Sequence, residues 1–294
     1  MNSDAVYHFG QCPSQSADEA HAMMTTPFNE RWRYDPTRPS LHDYPADVGD
    51  DDIPSLDTSL ENIGEYQRRL WANRSRAVLL VLHGLDASGK DSLIRTLSTY
   101  MDPAGFHAWS FARPQGAETR HDFLWRVVPL LPAYGELAAF NRSHHEAVIA
   151  ERLWPIHAPE DYNWQARYEA IRSFETHLAR EGTTVIKCWI RLSGDEHRRR
   201  LIKRLDEPRK RWKFDPSDVE AFERREELLA CAGEAIAATH TAEAPWFIIP
   251  GDRKSVARSI VAALVDEQLQ ALAPDYPVED EKTLKAYRKL LGGD

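Results

Sequence analysis

Two rhythms of apolar residues alternate along this chain. Ala77-Val-Leu-Leu-Val-Leu-His, Phe106–Phe111, Glu136–Phe140, Thr183–Leu192 and Trp246–Ile249 are short, nearly continuous apolar runs. That is the pattern of strands buried on both faces. Between them the apolar positions recur every three to four residues, as on one face of a helix. Helices are predicted over Ser59–Ala72, Lys90–Tyr100, Ala117–Val128, Tyr162–Glu181, Gly194–Leu205, Val219–His240 and Lys254–Leu272, with a last one over 280–291. Gly182 is placed to cap the Tyr162–Glu181 helix. Strands that alternate with helices predict an α/β fold, a parallel sheet sandwiched by helices, with ligands at the C-terminal strand edges.

Residues 1–57 keep neither rhythm. They are rich in Pro and Asp, as in Asp50-Asp-Asp-Ile-Pro, and read as an acidic extended arm or partly disordered leader. Trp32, Tyr34 and Tyr44 suggest that part of the arm packs on a neighbour. The expected organisation is this arm, a main domain over 58–272 and a tail helix over 273–294.

Charge changes the picture more than composition does. The net charge of −9 resides almost wholly in residues 1–60, where eleven Asp/Glu face three Arg. From Arg198 to Lys213, by contrast, nine Lys/Arg stand against Asp206 and Glu207. A broad nucleic-acid footprint does not fit the acidic remainder. No run approaches a membrane span, and no apolar signal core opens the chain. Cys12, Cys188 and Cys231 fit neither a disulfide framework nor a zinc site, so a reducing cytoplasm is the expected location.

The first strand feeds Gly84-Leu-Asp-Ala-Ser-Gly-Lys-Asp, a glycine-rich loop that opens a helix. Backbone N–H groups in such a loop cradle phosphate oxygens, and Lys90 reaches the outer phosphates. Two residues depart from the usual loop. Asp91 stands where a magnesium-binding Ser or Thr is common. Asp86 puts a carboxylate among phosphates, which is repulsive unless it holds a cation or takes a proton. At the end of the third strand, Asn141 takes the place where many such enzymes hold magnesium with Asp, and Arg142 is set to neutralise a transferring phosphate. In the basic run Arg200 and Arg204 share a helix face, and the Pro208 stretch resembles a hinged lid over about 205–218.

In this order the motifs resemble the polyphosphate kinase 2 family from about Leu56 to Leu272. Its marks here are the loop just quoted, His121-Asp-Phe-Leu-Trp-Arg, Phe140-Asn-Arg-Ser-x-x-Glu, Trp212-Lys-Phe-Asp-Pro-Ser-Asp, Ala244-Pro-Trp and Asp252-Arg-Lys. The resemblance implies a thymidylate-kinase-like P-loop fold with a helical basic lid, assembled as a homodimer or homotetramer. It implies phosphoryl transfer between inorganic polyphosphate and a nucleotide of the AMP, ADP or GDP class, with Mg²⁺ or, in its place, Mn²⁺. It further implies that Asp86, Lys90, Asn141, Arg142 and Arg200 act in catalysis, with metal at Asp86 and Asn141. Gly84, Ala87, Ser88, Gly89, Lys90, Asp91, Arg204, Lys210 and Lys213 would bind phosphates. His121, Asp122, Trp125, Arg126 and Glu146 would lie near the acceptor nucleotide.

Asn141 with Glu146 looks like the family branches that accept monophosphates. Departures at His145, Ala147 and Arg172-Ser173, where the family usually carries Tyr, Asp and Asn-Asp, bear on nucleotide preference. Two other readings of the loop are an ATP-dependent small-molecule kinase and a non-catalytic nucleotide or polyphosphate binder.

Overall fold

The computed structural model describes residues 27–49 and 53–292. Five parallel strands form one sheet: β1 (Ala77–Gly84), β2 (Phe106–Ser110), β3 (Leu137–Asn141), β4 (Thr183–Arg191) and β5 (Trp246–Pro250), in the order β2-β3-β1-β4-β5. The central β1 is apolar throughout because both of its faces are covered: Ala77 to Leu82 have no solvent exposure. Alternate residues face opposite sides. Val78, Leu80 and Leu82 enter one core cluster, and Leu79 and Val81 another.

Helices cover both faces. They are α1 (Pro27–Trp32), α2 (Leu56–Asn73), α3 (Lys90–Leu97), α4 (Trp164–Arg180), α5 (Gly194–Asp206), α6 (Ser217–Glu223), α7 (Arg225–Thr239), α8 (Lys254–Leu272) and α9 (Glu281–Leu290). Residues of α2 and α8 share the core that Val78, Leu80 and Leu82 enter; residues of α4 and α7 share a separate core with Trp189 and Trp246. The register sets Leu82 beside Asn141 and Gly84 beside Ile190. The loops after β1, β3, β4 and β5 therefore open on one edge, where the strand order turns on both sides of β1.

Three expectations change. The predicted helix Ala117–Val128 is replaced by two 3-10 segments, Gly116–Arg120 and Val128–Leu130, with turns between them. Pro129 cannot continue a helix, the Asp122 carboxylate ties up the Leu124 N–H at 2.8 Å, and Phe123 and Val127 pack into different clusters. The predicted Val219–His240 helix breaks at Arg224, whose guanidinium reaches across to the Leu153 carbonyl at 3.0 Å. Finally, the arm is ordered over 27–49. Trp32, Tyr34, Leu41 and Tyr44 are buried, and the Tyr34 N–H donates to the Trp246 carbonyl of β5 at 2.8 Å. The remainder of the expected arm, 1–26 and 50–52, lies outside the described residues, as does Cys12. Among the described residues no helix is long and apolar enough to cross a membrane.

Candidate active site

The loop after β1 is shaped by three residues with left-handed backbone: Gly84 (φ 138°), Ala87 (φ 61°) and Gly89 (φ 108°). At Gly84 a side chain is excluded, since a Cβ would sit 2.7 Å from the Ile190 carbonyl oxygen. Arg142 shares this uncommon conformation, with φ 63°. Strained backbone in non-glycine residues tends to collect at functional sites, and two of the four such residues described here, Ala87 and Arg142, line the same cleft.

Lys90 Nζ folds back over its loop and donates to the carbonyls of Gly84 (2.8 Å) and Leu85 (3.1 Å) and to Ser88 Oγ (3.2 Å). Burial, together with the charge of Arg142, brings its pKa down from 10.5 to about 8, against the pull of Asp86 and Glu146. The Arg142 guanidinium donates to Asp86 Oδ1 at 2.5 Å. Burial works to raise the Asp86 pKa, but Arg142 and Lys90 outweigh it and hold the carboxyl below its ordinary range. Asp86 is thus an anion kept ready in a cationic surround. Glu146 raises the Arg142 pKa most, with Asp86 adding to it. Asn141 Nδ2 donates to Asp91 Oδ1 at 2.5 Å, and Lys213 Nζ to Asp91 Oδ2 at 2.8 Å.

These groups line a cleft of about 560 Å³ between the loop and the basic segment. The segment is a 3-10 helix, Pro208–Lys213, that follows α5. Asp86, Ala87, Ser88, Gly89, Lys90, Asp91, Asn141, Arg142, Arg200, Arg204, Lys210 and Lys213 all reach it, while Gly84 shapes the loop from behind. Ten Lys and Arg line the cleft against two carboxylates, Asp86 and Asp91. That surplus is a field for a polyanion.

Arg200 does not hang over the cleft as a lid residue would. It is buried, and its guanidinium makes five hydrogen bonds: to the carbonyls of Ala87, Ser88, Gly251 and Asp252 and to the Glu196 carboxylate. Arg204 pairs with Asp218 at 2.9 Å, and Lys210 with Glu207 at 2.5 Å. Trp212, at the tip of the segment, is 78% exposed.

A second, far smaller cavity of about 20 Å³, room for about one water, includes His121, Arg126, Ser143, His144 and Glu146 in its wall. Arg126 pairs with Glu118 at 3.1 Å and lies over the Phe111 ring. His121 and Trp125 stack with ring centroids 4.2 Å apart. Asp122 and Trp125 are not in the wall of either cavity.

The family model described as Polyphosphate kinase 2 matches residues 50–276. The chain belongs to the polyphosphate kinase 2 family. It is 35% identical over 246 residues to an ADP-polyphosphate phosphotransferase of Rhodopseudomonas palustris, covering 80% of this chain and 84% of that one. It is 38% identical over 245 residues to an AMP/ADP-polyphosphate phosphotransferase of Meiothermus ruber, covering 83% and 90%. The crystal structure of polyphosphate kinase 2 from Arthrobacter aurescens superposes with a TM-score of 0.76 at 32% identity, over 86% of this chain and 90% of that one. The fold is accordingly the P-loop kinase-like one of this family.

Sequence reasoning missed several cleft residues of this polyphosphate kinase 2 chain. Arg95, Lys203, Arg209, Trp212 and Lys254 also line the cleft. Lys254 stands in the motif Asp252-Arg-Lys, so the signal was present, yet only the fold brings its side chain to 3.9 Å from the Cβ position of Gly89. Lys203 lies on α5 between Arg200 and Arg204. Arg95 carries no motif.

Proposed function

We propose that this polyphosphate kinase 2 chain transfers a phosphoryl group between inorganic polyphosphate and a nucleoside mono- or diphosphate, with Mg²⁺ as its metal. The observation that carries the reading is the cleft: ten Lys and Arg line it around the glycine-rich loop, and with Asp86, Asp91, Glu196, Glu207 and Asp218 set against them an excess of five positive charges remains. A chain made only of phosphates uses all of it. The names of the relatives support the same donor.

The donor set suits a divalent ion. Asp86 is an ionised carboxylate in the cleft wall, and Asn141, whose amide N–H₂ is taken by Asp91, keeps an amide oxygen for a metal or its water. One carboxylate, a neutral oxygen, waters and substrate phosphates make an ordinary Mg²⁺ environment. Bound there, Mg²⁺ would neutralise phosphate charge and align donor and acceptor.

The residues divide the remaining work. The loop N–H groups hold phosphate oxygens. Lys90 and Arg142, both charged and both beside Asp86, grip the transferring group and balance the charge on its oxygens. Arg200 fixes the loop from behind. Arg204, Lys210 and Lys213 follow the phosphate chain, and closure of the segment excludes water. Arg126, His121 and Glu146, around the smaller cavity, lie on the acceptor side. The acceptor's phosphate is already anionic, so orientation matters more than proton removal. Assembly into a homodimer or homotetramer belongs to the same proposal and is read by mass photometry.

Steady-state assays with polyphosphate, Mg²⁺ and AMP, ADP or GDP, compared with ATP as donor, test the reading. Nucleotide product from polyphosphate supports it. Folded protein that turns over ATP alone, or yields no nucleotide product at any polyphosphate length, overturns it.

A further inference from the structure

His83 is the next-to-last residue of β1, immediately before Gly84 of the phosphate loop, and carries no role in the motifs. It is buried, 1% exposed, among the rings of His145, Trp189 and Trp246. Both of its ring nitrogens are nevertheless used. Nδ1 lies 3.3 Å from Glu146 Oε1, and Nε2 lies 2.8 Å from Ser143 Oγ. Ser143 Oγ in turn accepts the His145 N–H at 3.2 Å.

The chemistry of the partners fixes the tautomer. Burial favours the neutral ring, which has one N–H to give. Glu146 is held ionised, since the hydrogen bond from His83 and the charge of Arg142 outweigh its burial, and a carboxylate only accepts. The proton therefore sits on Nδ1 and is donated to Glu146. Nε2 is left to accept the Ser143 hydroxyl.

This chain of contacts joins three segments that must agree in position: the end of β1, the Asn141-Arg142-Ser143 turn, and Glu146 in the wall of the smaller cavity. Glu146 is also the strongest electrostatic partner of Arg142. We propose that His83 is a positioning residue, which acts through its Nδ1–H on the Glu146 carboxylate and so sets the acceptor side of the site against the phosphate loop. The inference rests on the reading of Glu146 as an acceptor-side residue. His83 touches no substrate in this account.

The test is a double-mutant cycle between His83→Leu and Glu146→Gln, measured with the acceptor varied at saturating polyphosphate and then the reverse. His83→Leu is expected to lower kcat/KM for the acceptor about ten- to a hundredfold, the effect of removing a hydrogen bond to a buried charged group. The KM for polyphosphate is expected to stay within about twofold, since nothing in the large cleft is lost. His83→Asn puts an amide N–H near the place of Nδ1–H and is expected to retain activity within about threefold. In the Glu146→Gln background His83→Leu is expected to add nothing.

If Glu146→Gln leaves acceptor kinetics unchanged, the reading of Glu146 fails and the inference with it. If Glu146→Gln is effective but the two substitutions add, the inference alone is overturned. Loss of both KM values in parallel with a lowered melting temperature, without rescue by Asn, would assign His83 to packing and also overturn it. Should His83→Leu not fold, His83→Gln serves the cycle, because its amide reaches the Ser143 side and withdraws the donor from Glu146.

Discussion

Lys213 of the basic segment donates to one carboxylate oxygen of Asp91 at 2.8 Å while Asn141 donates to the other. One side chain of the phosphate loop thereby holds both the end of β3 and the segment that closes the cleft. Asp91 is half exposed, and an ion pair in that setting is worth about 0–1 kcal/mol. Asp91→Ala is thus expected to speed tryptic cleavage after Lys210, Arg211 and Lys213 in substrate-free protein by up to about fivefold. An unchanged cleavage pattern would show that Asp91 does not latch the segment.

Asp86 is the carboxylate whose loss should matter most. It pairs directly with Arg142, its charge is the main one that supports the Lys90 ammonium, and it is the charged candidate for the metal. Asp86→Asn keeps the shape and one hydrogen bond to Arg142. Its expected effect is a rise of about ten- to a hundredfold in the Mg²⁺ concentration needed for half-maximal rate, with a smaller change in polyphosphate KM. A Mg²⁺ titration of the two proteins side by side decides it. If both curves coincide, the metal is held elsewhere.

Arg200 and Arg204 share a helix face yet have different tasks. Arg200→Lys leaves at least two of its five acceptors, the Glu196 carboxylate and the carbonyls of Ala87, Ser88, Gly251 and Asp252, without a donor, because an ammonium has three N–H groups and no fork. The expected result is a kcat lower by roughly a hundredfold or more and a lower melting temperature, since orphaned buried acceptors cost about 1–3 kcal/mol each. Arg204→Lys, which loses only a partly exposed contact to Asp218, is expected to leave the melting temperature within about 2 °C. Equal effects from the two would contradict this division.

That difference shows what the sequence could convey. The strands were legible because β1 and β4 are buried on both faces, which favours nearly continuous apolar runs. The loop was legible because backbone approach to phosphate requires glycine at fixed spacing. Helical spacing also put Arg200 and Arg204 together, but spacing names a face and not what lies opposite it. The carbonyls that Arg200 meets come from two loops distant in sequence. The same holds for His83 and Glu146, 63 residues apart and joined only by the register of β1 with β3. Ala117–Val128 failed for a local reason, the Asp122 turn and Pro129, which overrode a helical pattern.

Lys90 gives the site a pH limb. Only the ammonium form attracts phosphate, and its pKa in the free protein is about 8. kcat/KM for polyphosphate is therefore expected to be level below pH 8 and to fall by about tenfold per unit above it. Stability moves the other way. The folded pKa lies below the ordinary lysine value of 10.5, so between pH 8 and 10.5 the unfolded chain binds more protons and this group favours the fold increasingly as pH rises. Alkaline loss of activity with an unchanged or higher melting temperature at the same pH checks both signs. A limb that tracks unfolding would refute the assignment.

Lys187 interrupts the apolar run of β4 and is wholly buried, as is Glu175 of α4. Glu175 accepts from Lys187 Nζ at 2.5 Å, His145 Nε2 at 2.8 Å and His144 Nε2 at 3.1 Å, and Lys187 also donates to the Thr239 carbonyl at 2.8 Å. The ammonium holds Glu175 Oε2 while both histidines meet Oε1, so the carboxylate's charge is balanced by a buried ion pair. Despite burial, which acts to raise it, Lys187 and His145 hold the Glu175 carboxyl well below its ordinary range. Removing one partner strands the other's charge. Lys187→Met is expected to cost about 3–5 kcal/mol in chemical denaturation, whereas Lys187→Met with Glu175→Leu, which removes both charges, is expected to recover much of it. Equal losses in the single and double variants would mean that packing, and not the stranded charge, sets the cost.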